Sequence, residues 1–345
     1  MRRHAQLWGN KRVTAGRRRT AVSIALLTGV VLVGTSACGT GSHPATTSNG
    51  KAASANAAAA TGKSGAHAKP STPAGPPMLL ESITPRTGTT VGVAMPVSVV
   101  FSKPVAVSAR AGIEKALKIT TSVPTVGAWH WFSDTRVDFR PKTYWKPGTS
   151  VSVDAELTGV TDGNGRYGTH GYHHAFTIGD DNEATVSVTG HTMRVTHDGT
   201  LVKTLPIDAG SAAFPSWDGT MAVIDKEAEV HMTSCSVGIS CTKGDPNYYD
   251  LTLPWDVHLT SSGTYVHYST GDPYPGHGEG SHGCVHLSLS DAKWFYDFVK
   301  QGDPITITGS PRGKAAGDNG YADFNLSWSQ WLQNSGTGQA TTIAS

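Results

Sequence analysis

The 345-residue chain carries 28 Lys+Arg against 26 Asp+Glu, with 40 Gly, 19 Pro, 4 Cys and 38% hydrophobic residues. That length leaves room for two domains plus tails, and Val, Thr, Trp and Tyr set among many turn residues predict a mainly β chain. The near balance of charge, with no basic patch interleaved with aromatics, gives no footing for a nucleic-acid partner.

The chain opens with Arg2, Arg3, Lys11, Arg12, Arg17, Arg18 and Arg19, with no acidic residue among them, followed by an apolar run from Ala21 to Val33. This is the pattern of an export signal, and the run is shorter than the roughly 20 residues a membrane span needs. Thr35-Ser36-Ala37 then supplies small residues before Cys38. The arrangement resembles the lipobox of bacterial lipoproteins, with Thr35 where a larger aliphatic residue is usual. The resemblance implies removal of residues 1–37, diacylation of Cys38 and anchoring to the outer face of the cell membrane; plain cleavage and secretion is the alternative. Without the signal, 21 basic residues face 26 acidic ones, a net charge of −5.

Residues 38–78 are Ala, Ser, Thr, Gly and Pro with a few Lys and His, a composition that cannot bury a core and is expected to be a disordered linker. Residues 79–180 predict a β-sandwich of immunoglobulin type. Its strand-like runs are 97–101, 128–132, 136–140 and 151–155, separated by turns at Lys146-Pro147-Gly148 and Asp162-Gly163-Asn164-Gly165. His170, His173 and His174 near its end are expected to be solvated loop histidines and not metal ligands.

A second β-rich unit covers 183–309. Strands are expected at 185–188, 192–196 and 202–208, with a hairpin turn at His197-Asp198-Gly199, and again at 263–268 and 303–308. Phe214–Thr220 is a loop leading into an apolar run, and 235–249 is a long irregular segment of the kind that forms lids. Cys235 and Cys241 both lie in that segment, and in an exported protein they are expected to form a disulfide. Cys284 is left without a partner, and an odd thiol in an oxidising compartment points to a function. It lies just beyond a Gly- and Pro-rich stretch, Gly271–Gly280, shortly before a helical run that Ser290 can cap. There a thiol can be exposed, with a lowered pKa.

A thiol nucleophile needs a base and donors for an oxyanion. His267 closes a strand 17 residues before Cys284, and its neighbour's carbonyl, at Tyr268, can fix the imidazole tautomer. His282 and His277 compete for the role of base. The amides of Gly283 and Cys284 are candidate oxyanion donors.

Val266-His267-Tyr268, a Gly-rich spacer and Ser281-His282-Gly283-Cys284 together resemble the signature of the L,D-transpeptidase catalytic domain of YkuD type. Trp129 to Trp131 and Tyr144–Thr149 resemble the immunoglobulin-like domain that precedes it in actinobacterial members. Phe324–Trp331 is similar to their C-terminal tail, so residues 310–345 are expected to pack back on the catalytic domain. The implied fold is an immunoglobulin-like sandwich followed by a β-sandwich or barrel, with a short helix after the cysteine.

The resemblance implies that Cys284 is the nucleophile and His267 the base, with the Gly283 and Cys284 amides as oxyanion hole. Ser281 and His282 would shape the loop, and Tyr249 would line the substrate pocket from a lid. Two positions depart from the family. His286 stands where Asn or Arg is usual in the substrate site, and Val237 lies near the place of a second lid tyrosine. The implied reaction is acyl transfer between peptidoglycan stem peptides. D-Ala is released, a 3→3 cross-link forms through a Cys284 thioester, and neither metal nor organic cofactor is needed. Carbapenems are expected to acylate Cys284, and the chain is expected to act as a monomer. A thiol-dependent L,D-carboxypeptidase or endopeptidase and a non-catalytic wall-binding lipoprotein are the competing readings.

Overall fold

The computed structural model describes residues 75–345. The expected signal, Cys38 and most of the expected linker lie outside the described residues. Among the described residues no helix is long and apolar enough to cross a membrane.

The first domain is a two-sheet sandwich. One sheet runs in the order β1 (Leu80–Thr84), β2 (Val97–Phe101), β5 (Arg136–Pro141), β4 (Thr125–Trp131). The other places β3 (Leu117–Thr121) beside β6 (Ser150–Ala155) and β6 beside β7 (Tyr172–Ile178). Strict alternation in β6 explains its placement. Val151, Val153 and Ala155 are buried, while Ser150, Ser152 and Asp154 face outward. Helix α1 (Val107–Ala116), which the sequence did not announce, drops Ile113 into the same core. His173 and His174 stand on β7 and not in a loop. His173 pairs with Asp154 at 2.7 Å, and His174 bonds the Pro85 carbonyl at 3.2 Å.

The second domain also has two sheets. The first is ordered β10 (Thr200–Pro206), β9 (Thr192–His197), β8 (Asn182–Ser187), β16 (Pro304–Thr308), β11 (Gly219–Ala222). The second is ordered β12 (Asp225–Thr233), β13 (Asp250–Thr260), β14 (Thr264–Tyr268), β15 (Val285–Leu287). Between them lies a closed apolar core that includes Val186, Met193, Leu205, Val257, Val266, Val285 and Ile307. The β9–β10 hairpin turns at Asp198 (φ 49°) and Gly199 (φ 74°), the pair of positive φ values that suits a tight hairpin. Helix α2 (Leu289–Phe298) buries Ala292 and Phe295. Its cap is Ser288, whose Oγ accepts from the Asp291 amide at 3.2 Å, so the expected cap at Ser290 lies inside the helix instead.

The tail corrects an expectation. Its first part does lie on the second domain, where the Thr220 amide donates to Asn325 Oδ1 at 2.7 Å and the Asp218 amide to the Gly313 carbonyl at 2.8 Å. The immunoglobulin-like sandwich already holds it at Asp318, Gly320 and Leu326, whose carbonyls accept from Arg136 and Arg140, and from Ser327 onward it lies on that sandwich. Ser327 and Gln330 form a capping box that starts α3 (Trp328–Gln333). Trp331 is fully buried, donates Nε1–H to the Ala128 carbonyl at 2.9 Å, stacks on His130 and lies under the Arg140 guanidinium. The final strand, β17 (Thr341–Ile343), pairs antiparallel with β4. The physical reason is an open edge on that sheet together with an aromatic slot shaped for one indole. Glu114 completes the clasp. Its buried carboxylate accepts from Trp131 Nε1, Ser335 Oγ, the Gly336 and Thr337 amides and Thr337 Oγ1. Trp331→Ala is therefore expected to destabilise the protein by about 3–5 kcal/mol. Thermal unfolding should show a Tm lower by roughly 10 °C; an unchanged Tm would mean the tail is not part of the folded unit.

Candidate active site

Strands β14 and β15 are parallel and in register, with Val266 opposite Val285 and His267 opposite His286. Valines 266 and 285 point into the core at 1% and 0% exposure. The alternation of a strand therefore sends His267, His286 and, just before β15, Cys284 to the opposite face. That face lines a cavity of about 510 Å³ to which Cys284, His267, His286, Tyr249, Ser281, His282, Asp208 and Asp272 all contribute.

His267 is 2% exposed. Its Nδ1–H donates to the Tyr268 carbonyl at 2.7 Å, which leaves the lone pair on Nε2. Burial, reinforced by the nearby His286, pushes the imidazole down to about 3, against the opposing pull of the carbonyl. Cys284 is half-buried and donates its S–H toward the Gly263 carbonyl at 3.7 Å. Burial pushes its thiol up to about 12, with the charge of Asp256 adding to the effect and a backbone hydrogen bond from Tyr265 opposing it. This half-buried position acts against the expected lowering of the thiol pKa, because burial favours the neutral thiol. Burial therefore favours a neutral thiol and a neutral imidazole at rest.

The lid explains why. Strands β12 and β13 extend past the core as a hairpin whose tip holds the Cys235–Cys241 disulfide, with 4.4 Å between the Cα atoms. The side chain of Val237 from this tip lies 2.5 Å from where a Cβ on Gly263 would sit, so only glycine fits beneath it. The residue that receives the thiol proton in a hydrogen bond is thus the residue the lid presses on. Asp256 on β13 is fully buried with neither carboxylate oxygen hydrogen-bonded. Burial pushes its carboxyl up to about 8, so at neutral pH it is largely uncharged.

The Ser281–Cys284 loop is held by its own serine. Ser281 Oγ donates to the Cys284 carbonyl at 2.6 Å and accepts from the Gly283 amide at 3.0 Å. Gly283 adopts φ 117°, a conformation that disfavours any residue with a Cβ. Of the two expected oxyanion donors, the Gly283 amide is thus engaged by Ser281 Oγ in the resting loop. The Cys284 amide has no partner among the described residues. His282 makes no side-chain hydrogen bond among them either; it is wedged between Phe214, at 4.8 Å, and Tyr249, at 5.2 Å. Burial and the neighbouring Cys284 push the Tyr249 phenol up to about 12, so it remains an O–H donor beside the thiol.

Three carboxylates of this region were missed in the sequence. Asp272 accepts from His286 Nδ1–H at 3.0 Å. Asp208 accepts from the amides of His277 and Gly278 at 3.1 and 2.7 Å. Asp256 is the third. Their only sequence signals were an aspartate in a Gly-Pro turn, one closing a strand and one inside an apolar run. Among the described residues no group of His, Cys, Asp and Glu is arranged to hold a metal ion.

Residues 181–307 match the model of the L,D-transpeptidase catalytic domain, and residues 41–161 match a bacterial Ig domain. L,D-transpeptidase 2 of Mycobacterium tuberculosis is 36% identical over 72% of this chain, which spans 60% of that protein's length. L,D-transpeptidase 1 of Mycobacterium tuberculosis is 34% identical over 66% of this chain and 84% of its own. Among solved structures, the LD transpeptidase LdtMt1 in complex with imipenem superposes with a TM-score of 0.56 at 33% identity, covering 68% of this chain and 99% of that one.

Proposed function

The chain belongs to the L,D-transpeptidases, and on that premise we propose that it forms 3→3 cross-links between peptidoglycan stem peptides through a thioester on Cys284. The observation that carries the reading is the placement of Cys284 and His267 on one face of adjacent strands, lining one cavity, with the His267 tautomer set by the Tyr268 carbonyl. Cys284 Sγ attacks the carbonyl of the third stem residue, a diamino acid, as its proton passes to His267 Nε2. A neutral pair favours this transfer at the moment of attack over a standing thiolate. The oxyanion is met by the Cys284 amide and the Tyr249 hydroxyl, and by the Gly283 amide if Ser281 Oγ releases it. His267 then protonates the departing D-Ala amine. The side-chain amine of a second stem resolves the thioester.

The test is incubation of the purified protein with a tetrapeptide stem donor and mass analysis of the products. Dimer and free D-Ala are expected. Tripeptide without dimer would make the protein a carboxypeptidase, and cleavage of supplied dimers alone would make it an endopeptidase. The imipenem complex of LdtMt1 supports acylation of Cys284 by carbapenems.

The basic and apolar N-terminal segment and the small residues before Cys38 support export and a lipid anchor at Cys38. Incorporation of a palmitate analogue, lost in Cys38→Ala, is the expected result; equal labelling of both proteins would remove the anchor.

A further inference from the structure

An ammonium must shed two protons to become an amide N–H. In the proposed reaction His267 accounts for one, passing it from the attacking nitrogen to the departing Cys284 thiolate. The other has to leave before attack, because a protonated amine has no lone pair. The cavity lining holds groups that the steps above do not use.

His286 is 8% exposed and lines the cavity, with its ring centroid 5.1 Å from that of His267. Its Nδ1–H is held by Asp272 Oδ2 at 3.0 Å, and its Nε2 has no hydrogen-bond partner among the described residues. Asp208 is locked alongside. The His286 amide donates to the Asp208 carbonyl at 2.8 Å, and the Asp208 amide to the His286 carbonyl at 3.4 Å. Asp208 and Asp272 both line the cavity.

We propose that the Asp272–His286 pair, with Asp208 beside it, receives the ammonium of the acceptor stem, and that His286 Nε2 takes its first proton before attack on the Cys284 thioester. The inference rests on the transpeptidase reading. The C–N bond then forms and the C–S bond breaks. The second proton travels through His267 to the thiolate, and the first passes from His286 to solvent. Burial pushes His286 down to about 4, partly opposed by the charge of Asp208, so its imidazole is unprotonated at neutral pH. Burial and the neighbouring Asp208 raise the Asp272 carboxyl, while His277 lowers it. His282 faces His286 from the cysteine loop, and His191 approaches Asp208 at 3.8 Å from the β9 side. An arriving cation relieves the crowding of the two carboxylates.

The thioester partitions between amine, giving dimer, and water, giving tripeptide, so the product ratio does not depend on how fast the thioester forms. His286→Asn is expected to lower the dimer-to-tripeptide ratio at least about tenfold with a stem-peptide acceptor at neutral pH. With hydroxylamine, which is already neutral there, the hydroxamate-to-tripeptide ratio should stay within about twofold of wild type, because no first proton has to be removed. Asp272→Asn should shift the ratios the same way, and it carries the test if His286→Asn folds poorly by circular dichroism. Unchanged ratios with both acceptors, or an equal fall with both, would overturn the proposal. Wild-type protein that yields neither dimer nor tripeptide would instead overturn the transpeptidase reading.

Discussion

Cys284→Ala is expected to stop covalent chemistry altogether, with dimer formation and D-Ala release falling by at least about 10⁴-fold, as when the nucleophile of an acyl-transfer enzyme is removed. The fold should survive. The side chain is small, it is half-buried, and its one recorded side-chain contact is a long S–H bond to the Gly263 carbonyl. Intact-mass spectrometry after mixing with imipenem separates the two issues. Wild-type protein should gain the mass of the opened carbapenem and the variant should gain nothing, while both unfold at similar temperatures. Dimer yield that survives the substitution would sink the mechanism.

The second large effect concerns His267. His267→Gln keeps a polar group near the Tyr268 carbonyl but removes the base, and acylation is expected to slow by about 10²–10⁴-fold. The wild-type pH profile carries the sharper information. The imidazole is pushed down to about 3 by burial, so it remains unprotonated well below the ordinary histidine range. The acid limb of kcat/KM for acylation should therefore fall below about pH 4, away from the usual value near 6.5. A limb centred near 6.5 would show that the base is solvated and that the lid opens before proton transfer. Stability has the opposite exposure to acid. Between about 3 and 6.5 the unfolded chain binds a proton at this position that the folded chain does not. Folding free energy is therefore undiminished above 6.5 and is lost as pH falls through that window. His286, pushed down to about 4, adds to the loss in the same direction.

Much of the architecture was legible because the residues behave locally. Val151, Val153 and Ala155 alternate with polar neighbours, and Asp198-Gly199 can only make a tight turn between two β runs. The Cys235–Cys241 pair follows from their shared loop in an exported chain, whereas spacing left His277 and His282 beside His267 as bases and the family resemblance singled out His267. The long lid strands were not legible. Asp225, Lys226, Glu227 and Glu229 place charge on both faces of β12, because that strand runs beyond the core and has no buried side. In β13, Trp255 at φ 62° breaks the alternation that would have revealed it. The burial of the thiol was not legible for a tertiary reason, since flanking glycines suggest exposure and only the folded lid supplies the cover. The Asp272–His286 contact is of the same kind, joining a turn to a strand through a loop whose path no local pattern reports.

The return of the tail to the first domain has a consequence for the order of assembly. Strand β17 completes a sheet whose partner, β4, lies more than 200 residues earlier, and Thr121 Oγ1 reaches across the same distance to the Ile343 carbonyl. Made from its N-terminus, the chain has synthesised the whole catalytic domain before the first domain can gain its last strand. The loop closed by that strand is nearly as long as the described protein, and pairings of such range form late and slowly. Of the two domains, the one synthesised first is therefore the last to be finished.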